Sequence, residues 1–201
     1  MATTVFQRSL ILGLSMGCMA ILLGSEIGAS AWIQLHGSPH LDPWVQGISW
    51  SGEWALMALA IVGLGFHNRH WALAGLVAYA IESALSQIIK RWLNGPRPLR
   101  LQAWEMRSIE GEVWQEQLAM PSGHTAAAVL ALWMLSRLPQ TQAMGLQMLL
   151  GLWALAVGYS RIYLGQHSLD DVIAGACLGM VTGLIFDQVQ KRAFDKSLLS
   201  P

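Results

Sequence analysis

The chain has 201 residues, 54% of them hydrophobic and 12% charged, with a mean hydropathy of +0.43. A soluble domain carries roughly a quarter charged residues, so this composition excludes an ordinary water-soluble protein and indicates one integral membrane domain, residues 1–201. The 12 basic and 12 acidic residues cancel, so no bulk charge recruits nucleic acid, and nothing in the pattern speaks to oligomeric state.

A helix needs about 20 apolar residues to cross a bilayer core. Six runs are candidates, in chain order roughly Leu10–Ile33, Trp44–Phe66, Trp71–Leu93, Ser122–Leu138, Ala143–Gly165 and Ser168–Gln190. They predict an all-α, six-transmembrane-helix bundle. Several of the 10 Trp stand near the ends of these runs, as interfacial aromatic belts require. The first run has a rival reading. Arg8, an apolar stretch and Ala29-Ser30-Ala31 resemble a cleaved signal peptide, and Leu14-Ser15-Met16-Gly17 before Cys18 resembles a poor lipidation box. The run is long for a signal peptide, and its removal would leave five helices, so it is read as a span. Cys18 and Cys177 both lie in apolar runs and are expected as buried thiols, outside any disulfide or metal pattern. The longest loop, about Asn94 to Met120, is rich in charge and Trp; connections of that length usually carry function or are disordered.

With the N-terminus inside, Arg8, Arg69, Arg137, Lys191, Arg192 and Lys196 fall on the inner side. Lys90, Arg91, Arg97, Arg100, Arg107 and Arg161 fall on the outer side. The raw count is even and decides nothing. If Lys90, Arg97 and Arg161 work in a site, they drop out of it, and the remainder favours cytoplasmic termini.

Three segments gather polar residues near the outer helix ends. In Lys90-Arg91-Trp92-Leu93-Asn94-Gly95-Pro96-Arg97-Pro98 the prolines stop the helix and stiffen the chain. That holds Arg97 near Lys90, a pairing of a flexible cation with a forked guanidinium that suits an anion with several oxygens. A plain basic helix cap is the bland alternative. In Pro121-Ser122-Gly123-His124 a helix start points its N–H groups of Ser122, Gly123 and His124 outward, an anion site by geometry and dipole. Gly123 admits close approach, and His124 adds a proton donor or acceptor near neutrality. An ordinary cap with an incidental histidine would look the same. In Ser160-Arg161-Ile162-Tyr163-Leu164-Gly165-Gln166-His167-Ser168-Leu169-Asp170-Asp171, Ser168 and Asp171 form a capping box. Asp171 also lies within reach of His167, where a carboxylate would fix the ring tautomer and free the other nitrogen to attack. Arg161 supplies a third cation.

Together the Lys90…Arg97-Pro98, Pro121-Ser122-Gly123-His124 and Ser160-Arg161…His167…Asp171 segments resemble the three-part signature of the type-2 phosphatidic acid phosphatase and vanadium haloperoxidase superfamily. All parts match in order and internal spacing. The resemblance implies that Lys90, Arg97, Ser122, Gly123 and Arg161 bind the substrate phosphate. It implies His167 as nucleophile, oriented by Asp171, and His124 as general acid. The residues themselves do not say which histidine attacks, although the Asp171 pairing favours His167. No metal and no cofactor is implied, because three cationic side chains stand where Mg²⁺ stands elsewhere.

The implied activity is hydrolysis of a lipid phosphate at the extracytoplasmic face of a bacterial inner membrane. Undecaprenyl diphosphate, phosphatidate and phosphatidylglycerophosphate all fit as substrates, acting through a phosphohistidine. A soluble phosphate ester, as for glucose-6-phosphatase, keeps the same fold. A vanadate haloperoxidase disagrees with the size and hydropathy, and a non-catalytic lipid-binding or transport protein would be expected to have lost motif residues. Glu26, Glu53 and Glu82 lie within the first three runs. Intramembrane carboxylates are costly and usually paired or functional, so they either brace the basic residues or line a polar cavity, or carry no role. Gly175, Gly179 and Gly183 form a small-residue stripe suited to close helix packing.

Overall fold

The computed structural model describes residues 26–98, 107, 109–112 and 116–199, with the side chains of 26–29 and 193–199 outside that description. The first predicted span lies mostly outside these residues. So do Arg8, Cys18, Arg100, the signal-peptide and lipidation readings, and the side chains of Glu26 and Lys196. Among the described residues there are seven α-helices. They are α1 (Glu26–Leu35), α2 (Asp42–Ser51), α3 (Trp54–His67), α4 (Arg69–Leu93), α5 (Gly123–Leu135), α6 (Met144–Tyr163) and α7 (Leu169–Leu199). A single 3-10 turn, Pro139–Thr141, joins α5 to α6. Among the same residues there is no strand, and the one isolated bridge pairs Pro96 with Gln117.

By length and composition α4 and the Leu169–Arg192 part of α7 can each cross a membrane, and α2 with α3 can do so as one span bent by 45°. The predicted count of six is not reached on this measure. The second predicted span breaks at Gly52-Glu53. The fourth is only 13 residues long, or roughly 20 Å at 1.5 Å per residue, short of a core about 30 Å thick. The fifth is long enough at 20 residues, but Gln147, Tyr159, Ser160 and Arg161 dilute its hydropathy.

The short α5 is the hub. It is apolar on every side, and Thr125 through Met134 are all buried, as expected of a helix enclosed by others. α3, α4, α6 and α7 surround it. The glycine stripe on α7 sets the closest of these contacts. A Cβ at Gly175 would strike the Ser122 carbonyl, one at Gly179 the Ala126 carbonyl, and one at Gly183 the Trp133 ring. At the end of the bundle away from the three motifs, Arg137 pairs with Asp187. Trp133 Nε1 also donates to Asp187 Oδ2 at 3.3 Å. Many large apolar side chains face outward, among them Trp44, Trp50, Trp54, Phe66, Trp92 and Leu155. Water penalises such a surface and a bilayer accepts it. Cys177 is only partly buried, not the fully buried thiol expected from its apolar run.

Replacing Gly179 with Leu should force α5 and α7 apart, at a cost of about 1–3 kcal/mol typical of overpacking. Thermal unfolding of the purified variant in detergent should show a clearly lowered midpoint. An unchanged midpoint would mean that this helix contact is looser than described.

Candidate active site

The ends of α4, α5, α6 and α7 that carry the motifs meet in one place, and local capping chemistry explains how. α6 closes in a Schellman turn. Gly165 has φ 70°, its N–H donates to Ile162 O at 2.9 Å, and the Gln166 N–H returns to Arg161 O at 3.0 Å. That pattern of bonds needs a residue free to adopt the left-handed region, which glycine supplies. The turn folds the chain back so that the His167 N–H also reaches Arg161 O, at 3.2 Å. The third cation and the candidate nucleophile are thereby fixed side by side.

α7 then opens on Ser168 and Asp171. Asp171 Oδ2 accepts from the Ser168 N–H at 3.1 Å and from Ser168 Oγ at 3.0 Å. The same oxygen lies 3.3 Å from His167 Nδ1. One carboxylate oxygen therefore both caps α7 and faces the His167 ring. Nδ1 thus faces Asp171, and Nε2 is the ring nitrogen not engaged by that carboxylate. The Leu169 N–H is held in turn by Ser30 Oγ at 3.0 Å, from α1.

The start of α5 departs from expectation at one donor. Pro121 precedes the N-cap residue Ser122, and the Ser122 N–H is not free but donates to Asp171 O at 2.9 Å. The first turn of α7 thus anchors the first turn of α5. Among the described residues no such backbone bond uses the N–H of Gly123 or His124, so these two remain for an anion. Ser122 Oγ accepts from Thr125 Oγ1 at 3.0 Å.

The first motif is held by backbone carbonyls. α4 ends at Asn94, with φ 42° and its N–H on Lys90 O. The following segment is stapled to residues 116–119, Arg97 N–H to Glu116 O at 2.9 Å and Ala119 N–H to Gly95 O at 3.2 Å. Lys90 Nζ donates to Leu118 O at 3.3 Å and Arg97 Nε to Gln117 O at 2.9 Å. Arg97 Nη1 reaches both Gln166 O at 3.2 Å and Gln166 Oε1 at 3.0 Å, which ties the first motif to the third. Arg161 Nη1 donates to Ser49 Oγ on α2, while its buried Nε has no hydrogen-bond partner among the described residues. Lys90, Arg97 and Arg161 are all buried. Burial, then the charges of Arg97, Arg161 and Lys90, hold the His167 ring well below its ordinary pKa. Both causes disfavour the protonated ring.

Several partners were not legible from the motifs. Glu53 Oε1 lies 3.5 Å from His124 Nε2; the sequence flags this carboxylate inside an apolar run but not what it meets. Gln166 bridges Arg97 and Glu112, with Nε2 donating to Glu112 Oε2 at 2.8 Å. Arg107 forms a two-pronged pair with Asp42, both contacts at 2.8 Å. Its backbone exchanges two hydrogen bonds with the Gln34 amide, at 2.8 and 2.9 Å. A cavity of about 310 Å³ opens beside Lys90, Gly123 and His124 and runs along α4 past Glu82. Among the described residues no group of three or more His, Cys, Asp or Glu is placed to hold a metal ion.

Residues 71–195 match the PAP2 superfamily, and the chain belongs to that family. It is 26% identical over 204 residues to phosphatidylglycerophosphatase B of Bacillus subtilis (strain 168), across 94% of this chain and 96% of that protein. It is 31% identical over 150 residues to the decaprenylphosphoryl-5-phosphoribose phosphatase of Mycobacterium tuberculosis, across 72% of this chain and 77% of the other. Its fold is similar to the crystal structure of Aquifex aeolicus LpxE, with a TM-score of 0.69, 24% identity, and 82% of this chain and 96% of that chain covered. It is similar also to the transmembrane PAP2-type phosphatidylglycerolphosphate phosphatase of Bacillus subtilis, with a TM-score of 0.66, 25% identity, and 94% and 96% covered. Membership makes the chain a PAP2-type membrane phosphatase, and these relatives by their names include phosphatases of lipid phosphates.

The His167 environment gives a titration test. Its pKa in the folded protein lies below the unfolded value of about 6.5, so between the two the unfolded chain binds a proton that the native protein does not. The ring should stay neutral at about pH 6, and His167 should reduce stability as pH falls through about 6.5. Nitrogen-15 NMR of the labelled imidazole in micelles should find a neutral ring with the proton on Nδ1. A titration midpoint at or above about 6.5 would contradict the buried, cation-flanked environment.

Proposed function

We propose that the whole chain acts as one lipid phosphate phosphatase that works through a phosphohistidine on His167. The observation that carries this reading is the shared Asp171 oxygen, which orients His167 while the three cations and the α5 N-terminus surround the same spot. His167 Nε2 attacks phosphorus in line, and the bond from phosphorus to the leaving oxygen breaks. His124 gives its proton to that oxygen. Water then attacks the phosphohistidine, giving a proton to His124 as the P–N bond breaks, and inorganic phosphate leaves with His167 restored. Lys90, Arg97, Arg161, Ser122 and the N–H groups of Gly123 and His124 stabilise charge on the equatorial oxygens. Glu53 faces the ring of His124 and is suited to hold it in register during both proton transfers.

The substrate is a lipid phosphomonoester or diphosphate. The relatives named for phosphatidylglycerophosphate and for a decaprenyl phosphoribose support a phosphorylated lipid head group, and undecaprenyl diphosphate and phosphatidate have the same reacting group. The basic residues support an extracytoplasmic site in a bacterial inner membrane. Arg107, counted outside by sequence, is committed to Asp42, which weakens the outer basic count further and favours cytoplasmic termini.

His167→Ala should cut turnover by roughly three orders of magnitude or more while the protein still inserts, as loss of a nucleophile does. His124→Ala should slow alkyl phosphates by roughly 10²–10⁴ and activated aryl phosphates much less, since a good leaving group needs little protonation. Equal losses on both substrate types would remove the general-acid role. Activity should survive a chelator, and vanadate should inhibit as a mimic of the transferring phosphoryl group. Loss with chelator and rescue by Mg²⁺ would overturn the cationic mechanism. For sidedness, a cysteine introduced at Gly111 should react with an impermeant thiol reagent in intact spheroplasts, and one at Lys196 only after lysis. The reverse labelling would move the site to the cytoplasmic face.

A further inference from the structure

The cavity beside His124 contains two polar atoms that the proposed chemistry leaves unused. Glu82, Ser86 and Lys90 recur every four residues along α4 and so share one face of that helix. Glu82 is only 2% exposed and Ser86 only 3%. Glu82 Oε1 and Ser86 Oγ are buried without a hydrogen-bond partner among the described residues, and both residues line the cavity. Buried polar atoms are rarely left unpaired, and those that are usually await a ligand or an ordered molecule. Ser86 Oγ also borders the N-terminus of α5, lying 3.8 Å from where a Cβ on Gly123 would stand.

The position of the cavity says which part of a substrate it receives. Lys90, Gly123 and His124 are among its lining residues, and His167 is not. In an in-line displacement the leaving group departs opposite the nucleophile, on the side of the general acid. The cavity is therefore the leaving-group side. Its lining is mixed, with apolar surface from Trp54, Tyr79 and Ala127 and the polar groups of Glu82, Ser86 and Glu53 set into it. A bare polyprenyl or acyl chain would leave the buried Glu82 Oε1 and Ser86 Oγ unpaired. A departing phosphate would meet two carboxyl side chains. A hydroxylated carbon fragment meets acceptors that lack donors. At about 310 Å³ the space exceeds by several-fold the roughly 30 Å³ of one water, enough for a glycerol or pentose unit. Trp54, which is exposed, stands at its edge, so an attached chain can pass outward to lipid.

We propose that Glu82 and Ser86 form a hydroxyl-binding subsite, and that the preferred substrates are lipid phosphomonoesters whose leaving alcohol bears a free hydroxyl beside the scissile ester. The class is a phosphorylated glycerol or sugar head group, in preference to a lipid diphosphate or phosphatidate. This rests on the phosphatase reading above and narrows it.

The test compares phosphate release from phosphatidylglycerophosphate and from its analogue lacking the middle hydroxyl of the head group, each in the same mixed micelles. The wild-type protein should favour the hydroxylated substrate in kcat/KM by about tenfold or more, the worth of one well-made hydrogen bond to a charged or buried acceptor. In Glu82→Leu and in Ser86→Ala that ratio should fall towards one, with Glu82→Gln between, since it keeps one acceptor. Glu82→Leu replaces a buried carboxyl by an apolar group, and the thermal midpoint of each variant checks folding. Equal wild-type rates on the two lipids would overturn the subsite and leave the orphan atoms to water. Variants that lose both activities in the same proportion would make these residues structural and overturn it as well. A wild-type protein inactive on both lipids and on an aryl phosphate would instead remove the phosphatase reading, and the subsite with it.

Discussion

The first turn of the last helix holds the catalytic end together. Asp171 uses one carboxylate oxygen to accept from the N–H and hydroxyl of Ser168 and to face Nδ1 of His167, and its backbone carbonyl takes the Ser122 N–H. One residue thus starts α7, fixes the histidine tautomer and anchors the start of α5. The arrangement works only because α5 and α7 approach closely along their length, which Gly175, Gly179 and Gly183 permit. Helix ends braced in this way hold reactive groups more rigidly than free loops do, and preorganised donors act without reorganising as charge develops.

Neutral acceptors among the described residues help to orient the cations. Lys90 and Arg97 are fixed mainly by backbone carbonyls of Leu118, Gln117 and Gln166, and Arg161 by the hydroxyl of Ser49. Carbonyl and hydroxyl dipoles orient a charge without cancelling it. Three buried cations near two histidines are costly in isolation, since burying charge is repaid only by an opposite charge in good geometry. Asp171, Glu112 and Glu53 offset part of that charge, and in the proposed reaction the substrate phosphate supplies more. The unpartnered Nε of Arg161 is one donor that such a ligand can satisfy. In the proposed reaction binding energy is concentrated on the phosphate, and the proposed subsite along α4 distinguishes what the phosphate is attached to.

The sequence was most informative where function depends on short local spacing. Ser168 and Asp171 are three residues apart, His167 and Asp171 four, and these relations survive any choice of fold. The long apolar helix Arg69–Leu93 and the body of α7 were likewise legible from hydropathy. The break at Gly52 was not. A hydropathy window registers composition, not the close approach of Val157 on α6 that leaves no room for a Cβ at Gly52, nor the bond from Trp153 Nε1 to Ser51 Oγ at 2.8 Å. Pairings across long stretches of chain were also hidden: Glu53 with His124, Arg97 with Gln166, Arg107 with Asp42. Glu53 and Glu82 were visible as costly carboxylates, but only the folded arrangement assigns one to a histidine and the other to a cavity. The free N–H expected at Ser122 was lost to Asp171 because a capping pattern read on one helix cannot foresee a neighbour's carbonyl.

The central claim is that phosphorus is transferred to His167. Rapid quenching of the enzyme with a phosphorus-32-labelled lipid substrate, followed by peptide mapping under alkaline conditions, tests it directly. The account predicts an acid-labile, base-stable phosphate on the peptide containing His167. Turnover with no covalent label, or a label that maps to another residue, would contradict it.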